Sequence, residues 1–224
     1  MKTIRVGIAG ASGRMGQTVR RALDEAQGFE LASTLARGGN LKSLVERCDV
    51  IVDFSRPELT VELAAACGAA RRPLVSGTTG LDEAAWRVLR AAAKLAPVVH
   101  AANFSVGVTL LRHLVAQASG SLDADWQCEI FDAHHANKAD APSGTALALG
   151  SVVGRTVEYA SEREGDTVGY HEVRFHGPGE SVLLGHEALD RAIFARGALR
   201  AARWVVGKPA GLYGMEDVLA LKSR

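Results

Sequence analysis

The chain has 224 residues, 47% of them hydrophobic, which is enough to bury the core of one domain or of two small ones. Its 26 basic and 25 acidic side chains leave a net charge of +1, so composition gives no reason to expect a nucleic acid or a membrane as partner. Because the three cysteines form no CxxC pair and no apolar leader precedes the first predicted strand, we expect a cytoplasmic protein without disulfides or structural zinc.

The first hundred residues alternate between short apolar runs and amphipathic stretches. Strands are predicted over 4–9, 30–35, 49–54, 73–76 and 98–101, and helices over 14–26, 58–70 and 82–95. Repeated strand–helix–strand units of this kind predict a parallel sheet covered on both faces, which is a Rossmann-like α/β fold.

The rest of the chain has a different pattern. Helices are predicted over 106–118, 145–153, 197–206 and 215–221, and strands over 126–133, 157–160, 169–175, 181–185 and 190–195. This pattern predicts a second, α+β domain over 106–191 for substrate binding and oligomerisation, with 1–105 and 192–224 forming a dinucleotide-binding domain. We expect the site between the two domains, where hinge closure would exclude water.

A glycine-rich turn joins the first predicted strand to the first predicted helix. Glycine lets the backbone approach a pyrophosphate, and the N-terminus of the helix offers N–H groups and partial positive charge. In this context the turn favours dinucleotide binding, although a plain tight turn is the alternative. The predicted cofactor-binding residues here are Gly10, Ala11, Ser12, Gly13, Arg14 and Met15.

The end of the second predicted strand normally carries a carboxylate for the cofactor ribose, but this chain has Ala36 followed by Arg37. A guanidinium suits a 2′-phosphate, so the sequence favours NADPH over NADH, unless Arg37 is only a solvated loop charge. Ligands of open α/β sheets lie beyond the carboxyl ends of strands, where two later loops follow the fourth and fifth strands. These loops contribute the predicted cofactor-binding residues Gly77, Thr78, Thr79, Ala101, Ala102, Asn103 and Phe104, with the Phe104 ring a candidate contact of the nicotinamide.

The segment 134–146 reads His-His-Ala-Asn-Lys-Ala-Asp-Ala-Pro-Ser-Gly-Thr-Ala. Side chains of adjacent residues diverge at a strand end, so one histidine can face a substrate while the other supports it. Histidine donates protons near neutral pH, and Lys138 offers a positive charge to a carboxylate. Ser143 suits a helix N-cap, with an anion site at the N–H groups of Gly144 and Thr145. With the glycine-rich turn, this predicts a nicotinamide-dependent reductase of a small dicarboxylate.

Several alternatives use the same segment. The adjacent histidines could bind a metal, but no acidic or cysteine partners stand at ligand spacing. Ser143 could be a nucleophile, but Pro-Ser-Gly-Thr lacks the strand–elbow pattern of hydrolases. The segment could also be purely structural, with an N-cap and surface histidines. A rival of another class is a non-catalytic NADP(H)-binding sensor or regulator, against which the presence of both His134 and Lys138 favours catalysis.

Together these motifs resemble the dihydrodipicolinate reductase family over nearly the whole chain. The matching stretches are Gly-Ala-Ser-Gly-Arg-Met-Gly (10–16), Asp-Phe-Ser-Arg-Pro-Glu (53–58), Gly-Thr-Thr-Gly (77–80), Ala-Asn-Phe-Ser-Val-Gly-Val (102–108), the segment 134–146 and Phe-Ala-Arg-Gly-Ala-Leu-Arg-Ala-Ala-Arg-Trp (194–204). The resemblance implies NAD(P)H-dependent reduction of 4-hydroxy-tetrahydrodipicolinate to tetrahydrodipicolinate, in diaminopimelate and lysine biosynthesis, with no metal.

The resemblance also implies roles for single residues. It makes His134 the proton donor and acceptor and Lys138 a second proton donor or charge stabiliser. His135, Gly144 and Thr145 would bind substrate, and the cofactor contacts would be those given above. The chain departs from the family at Ala36, where an acidic residue is usual, and it is shorter between 40 and 48 and near 176–178. The family's second sheet forms a tetramer interface, so we expect a homotetramer, with a dimer as the alternative.

Overall fold

The computed structural model describes residues 3–35 and 39–221. The strands are β1 (Ile4–Ala9), β2 (Phe29–Leu35), β3 (Val50–Asp53), β4 (Leu74–Ser76), β5 (Pro97–His100), β6 (Gln127–His134), β7 (Val157–Arg163), β8 (Gly169–Gly177), β9 (Glu180–Ala188) and β10 (Gly211–Tyr213). The helices are α1 (Arg14–Glu25), α2 (Leu41–Arg47), α3 (Pro57–Ala69), α4 (Glu83–Ala93), α5 (Val106–Ser121), α6 (Gly144–Gly150), α7 (Ala192–Val205) and α8 (Met215–Val218). No helix in this described part of the chain is long and apolar enough to cross a membrane.

The chain divides into two compact units. The first comprises Met1–Ser105 and Ala192–Arg224, and the second comprises Val106–Arg191. The first unit contains a six-stranded sheet in the order β10-β5-β4-β3-β1-β2, in which every neighbouring pair is parallel. This sheet confirms the predicted Rossmann-like fold, and the second unit supplies the predicted second sheet.

The strands of the first unit end in register at one edge of the sheet. Ala9 pairs with Asp53, Asp53 with Ser76, and Ser76 with His100. All residues of β3 and β4 are buried, as expected for a parallel sheet covered by helices on both faces. Pro57 occupies the first position of α3 as predicted. The loops that follow these strands therefore emerge side by side.

The second unit contains a four-stranded mixed sheet in the order β7-β6-β8-β9. β6 runs parallel to β7 and antiparallel to β8, and β8 and β9 form an antiparallel hairpin whose turn includes Gly179 at a φ of +81°. Along β6 alternate residues are buried, because one face of the sheet is covered. The core on that face includes Leu111 and Val115 of α5, Ala146 and Leu149 of α6, and Ile130 and Phe175 of the sheet.

The strand predicted over 190–195 is wrong, because the chain forms α7 from Ala192 onward. Buried residues Ala195, Ala198 and Ala202 recur at helical spacing, and this longer pattern determines the structure more than the adjacent Ile193 and Phe194 do. Two elements of the described residues were not predicted. The first, α2, begins after Asn40, whose side chain accepts a hydrogen bond from the backbone N–H of Ser43. The second is the short strand β10.

Candidate active site

The turn between β1 and α1 brings the start of the helix against the end of the strand. Gly10 has a φ of +77°, in the left-handed region that favours glycine. A side chain at Gly16 would overlap the carbonyl oxygen of Gly10, so the helix could not approach the strand as closely. Gly13 is the N-cap of α1, and the first turn of a helix leaves backbone N–H groups without intrahelical acceptors. This backbone fits a phosphate-bearing ligand.

A cleft of about 420 Å³ opens beside this turn. Its volume lies in the usual range for small-molecule sites, and it continues from the turn to the end of β2 and the loop after β3. The lining includes the predicted residues Gly10, Ser12 and Gly13. It also includes Leu35, Ser55 and Arg56, which were not among the predicted site residues. The predicted Arg37 lies outside the described residues, in the short stretch between Leu35 and Gly39, both of which line the cleft.

A buried carboxylate connects the loops at this edge of the sheet. Asp53, the last residue of β3, is fully buried. Its oxygens accept hydrogen bonds from the hydroxyls of Ser55 (2.5 Å), Thr60 (2.7 Å), Ser76 (2.8 Å) and Thr78 (3.1 Å). Asp53 therefore joins the loop after β3 to the loop after β4, where Gly77, Thr78 and Thr79 were predicted to bind the cofactor. The sequence analysis did not include Asp53 among the site residues.

The predicted loop residues divide by exposure. Thr78 and Phe104 are buried, and the Phe104 ring packs against Phe54 with ring centroids 5.7 Å apart. This packing buries the Phe104 ring, and its expected contact with a nicotinamide stays a prediction. Thr79 and Ala102 are exposed, and Gly77, Ala101 and Asn103 are half-buried.

In the second unit, His134 is the last residue of β6 and is largely buried. Its Nδ1 lies 2.8 Å from an oxygen of the fully buried Asp132. An ionised carboxylate only accepts, so the Nδ1–H donates and, in the neutral ring, Nε2 is left to exchange a proton. Burial lowers the pKa of His134; the Asp132 carboxylate opposes that shift, and the charges of Lys138 and Arg163 add to it.

Lys138 is held by a neighbouring carboxylate. Its Nζ lies 2.7 and 2.8 Å from the two carboxylate oxygens of Asp140. The hydrogen bond from Lys138 is the main reason that the pKa of Asp140 is lowered, and the backbone N–H of Gly144 donates to the same carboxylate. Asp140 thus occupies two of the groups that were predicted to bind a substrate carboxylate. A ligand carboxylate at Lys138 and Gly144 has to compete with it.

The start of α6 adjoins His134 through a second histidine. Ser143 caps the helix as predicted, since its Oγ accepts a hydrogen bond from the N–H of Ala146 at 3.1 Å. The same Oγ lies 3.3 Å from Nε2 of His171, and the His171 ring stands edge-on to His134 with centroids 5.0 Å apart. Burial, with a smaller effect of His134, lowers the pKa of His171 to about 4. His171 is therefore neutral at physiological pH.

The remaining predicted substrate residues border this cluster. His135 and Thr145 are half-buried, and Gly144 is exposed with no atom within 4 Å of the place a Cβ would take. The predicted catalytic and substrate residues thus all lie in the second unit, and the predicted cofactor residues all lie in the first. The second unit's Asp132 and His171 were missed, although Asp132 stands two residues before His134 and so shares its side of the strand.

A parallel sheet with a glycine-rich first turn is the arrangement found in dinucleotide-binding oxidoreductases, and a buried histidine beside a lysine adds groups for proton transfer. Comparison with known proteins narrows this class. The family profile for the N-terminus of dihydrodipicolinate reductase matches residues 4–104, and the profile for its C-terminus matches residues 107–219. The chain belongs to the dihydrodipicolinate reductase family.

Relatives in this family align over nearly the whole chain. The 4-hydroxy-tetrahydrodipicolinate reductase of Xanthomonas euvesicatoria pv. vesicatoria is 44% identical and that of Thiobacillus denitrificans is 41% identical, with 96% and 98% of this chain covered and 98% and 100% of theirs. The Thiobacillus alignment runs over 266 positions, against 233 for Xanthomonas, so the Thiobacillus protein has segments that this chain of 224 residues lacks. A dipicolinate-bound dihydrodipicolinate reductase from Paenisporosarcina sp. TG-14 has the same fold, with a TM-score of 0.86 at 23% identity over 96% of this chain and 99% of that one.

Proposed function

We propose that the protein is a 4-hydroxy-tetrahydrodipicolinate reductase, which uses a reduced nicotinamide dinucleotide to form tetrahydrodipicolinate. The observation that carries this function is the buried His134, bonded through Nδ1 to Asp132, in the same segment as the cation Lys138. Its support is the chain's 44% identity to a reductase of that name over 96% of its length.

The reaction consumes one hydride and one proton and releases water. When bound, the nicotinamide supplies the hydride. The leaving hydroxyl of the substrate needs a proton, and the imidazolium of His134 is assigned to give one from Nε2, since its Nδ1 is bonded to Asp132. Burial disfavours that imidazolium in the free protein, but a bound dicarboxylate brings negative charge near the ring and favours it.

Charge on the substrate is held by the neighbouring groups. Lys138 already binds one carboxylate, that of Asp140, and the N–H of Gly144 interacts with the same group, which supports assigning both to a substrate carboxylate. His135 and Thr145 flank them and are assigned to substrate binding. Binding to these residues orients the substrate ring, and His134 donates the proton.

The cofactor site is assigned to the glycine-rich turn and the cleft beside it. The exposed N-cap Gly13 and the N-terminus of α1 fit a pyrophosphate, with Arg14 exposed at the same helix end. Arg37 is assigned to the 2′-phosphate of NADPH. In the loops after β4 and β5, the accessible residues assigned to the cofactor are Thr79, Ala102 and Asn103. The protein is expected to work in the cytoplasm as a homo-oligomer.

The test is turnover with freshly made 4-hydroxy-tetrahydrodipicolinate. Mixed with NADPH or NADH, the protein should oxidise the nicotinamide, followed by absorbance, and product should accumulate in equal amount. A matched reaction without substrate controls for slow background oxidation. Tight binding of NADPH without any turnover would contradict the proposal and favour a sensor.

A further inference from the structure

The carboxylate of Asp132 is the most heavily bonded polar group of the second unit's site. It is fully buried on β6, two residues before His134, so the two side chains leave the same face of the strand. One oxygen accepts hydrogen bonds from Ser161 Oγ (2.7 Å) and from the backbone N–H of Ser143 (3.2 Å). The other oxygen lies 2.8 Å from Nδ1 of His134 and 2.9 Å from Nη1 of Arg163. Four partners thus fix its orientation.

This carboxylate stays ionised despite its burial. Burial by itself would raise the pKa of Asp132, but the hydrogen bonds from Ser161 and Ser143 and the charge of Arg163 outweigh it, and the pKa is lowered. An ionised carboxylate has no proton to donate, so it can accept only from a protonated Nδ1 of His134. The contact therefore selects one of the two neutral tautomers of the ring.

We propose that Asp132 is a positioning residue for the reduction, holding His134 in the tautomer that exchanges its proton through Nε2. The proposal rests on the function proposed above, because His134 is the proton donor of that reaction. The same carboxylate also ties the backbone of Ser143, and with it the start of α6, to the strand that carries His134. Asp132 thereby fixes the orientation of the His134 ring and the position of Ser143, which directly precedes the proposed substrate-binding residues Gly144 and Thr145.

The other groups that face His134 cannot replace this contact. They are Arg163 on β7, His171 on β8 and Lys138 on the loop after β6, and Arg163 and Lys138 are donors only. His171 meets the ring edge-on, and its Nε2 is bonded to Ser143. Among the described residues, Asp132 is thus the carboxylate bonded to His134.

A purely structural role predicts a different result. If Asp132 served only to neutralise Arg163, its removal would lower stability without changing which nitrogen of His134 carries the proton. We therefore test the tautomer directly, by nitrogen NMR of protein labelled at the histidine ring nitrogens. The signals of His134 are identified by their loss in His134→Gln. In the wild type, above the pKa of His134, Nδ1 should be protonated and Nε2 should not.

The variant for this test is Asp132→Asn, which keeps the shape and removes the charge. An amide can donate to Nδ1 and so stabilise the other tautomer, so the NMR pattern of His134 should change. The expected fall in kcat is about 100-fold or more, because the other tautomer removes the acid–base contribution of His134, with NADPH affinity unchanged. The limb of the pH profile that belongs to His134 should move to lower pH, because the carboxylate no longer favours the imidazolium.

Glu172→Gln is the matched control. Glu172 is also bonded to a hydroxyl and an arginine, Tyr170 (2.7 Å) and Arg174 (2.8 Å), but it lies on the opposite face of the same sheet. This variant should leave kcat and the tautomer unchanged. A wild-type His134 protonated at Nε2, or an Asp132→Asn protein with unchanged tautomer and pH profile, would overturn the proposal. The NMR measurement needs no turnover, so it separates a failure of this proposal from a failure of the proposed function. If the Asp132→Asn variant does not fold, the tautomer of the wild-type His134 still tests the proposal.

Discussion

At His134, burial and a hydrogen bond act in opposite directions on the same proton. Burial has the larger effect, so the free protein binds this proton more weakly than an ordinary histidine would. The acid form is present below the pKa and is lost as the pH rises through it. We therefore expect kcat/KM, which reports the free protein, to fall with rising pH along a limb that lies below pH 6.5, the ordinary value for histidine. In the substrate complex the limb of kcat should lie at higher pH.

His134→Gln tests this assignment. The variant should lower kcat by about 100-fold or more, the usual contribution of an acid–base group, and the pH limb should disappear. NADPH binding, measured by fluorescence titration, should be retained because the assigned cofactor residues lie in the other unit. An unchanged kcat would show that another group delivers the proton.

Cofactor preference is a second question at the scale of single residues. Arg37→Ala should weaken the binding of NADPH and hardly change that of NADH, because only NADPH carries the 2′-phosphate. Arg56→Ala, at an arginine that lines the cleft beside the glycine-rich turn, is the comparison variant. Dissociation constants for both cofactors measure the effect. Equal losses for both cofactors in Arg37→Ala would show that Arg37 does not bind the 2′-phosphate.

The sequence indicates candidate residues for the chemistry, but not the residues that hold those side chains in place. His134 and Lys138 stand in a motif that can be recognised by its residue types alone. The contacts of Asp53 with Ser76 and of His134 with His171 join separate strands, so they depend on sheet order and register. Spacing along the chain does not contain that information.

At the scale of elements, the segment between β6 and α6 holds an internal competitor. Asp140 binds Lys138 and Gly144, which the substrate is proposed to use. Asp140→Asn should therefore lower the Kd for dipicolinate, a stable dicarboxylate probe, by roughly tenfold, about the strength of one charged hydrogen bond. Calorimetry measures the Kd, with Asp166→Asn as a control in the loop before β8. A higher Kd in Asp140→Asn would mean that Asp140 instead holds Lys138 in place for the substrate.

Most elements could be predicted because their periodicity is clear, and the failures have local causes. The strands of the first unit are short apolar runs between turns, which is typical of a covered parallel sheet. The residues of α7 were misassigned at their start because Ile193 and Phe194 are adjacent apolar residues in a short window. β10 has only three residues, Gly211–Tyr213, and is a strand because β5 pairs with it. A pairing partner cannot be found by examining those three residues alone.

At the scale of the whole molecule, the prediction concerns assembly. The sheet face away from α5 and α6 carries Phe131, Tyr170 and Leu183, and Leu183 is 51% exposed. From the family resemblance we expect four protomers of 23.6 kDa, measured by sedimentation or light scattering. Leu183→Arg should reduce that mass, since a charge at a covered apolar position is costly. A monomeric wild type would contradict the expectation of an oligomer. A wild-type mass of two protomers would contradict the tetramer.

The first unit is assembled from two separate stretches of the chain. β10 pairs with β5, yet the whole second unit is encoded between them. A ribosome releases β1 to β5 first and the last strand only after some hundred further residues, at a rate of roughly 5–20 residues per second. For several seconds of synthesis β5 is therefore an edge strand with one side unpaired, and this side is the border of the nascent sheet. Ribosome-bound chains that stop before residue 211 should leave this border open to a chaperone.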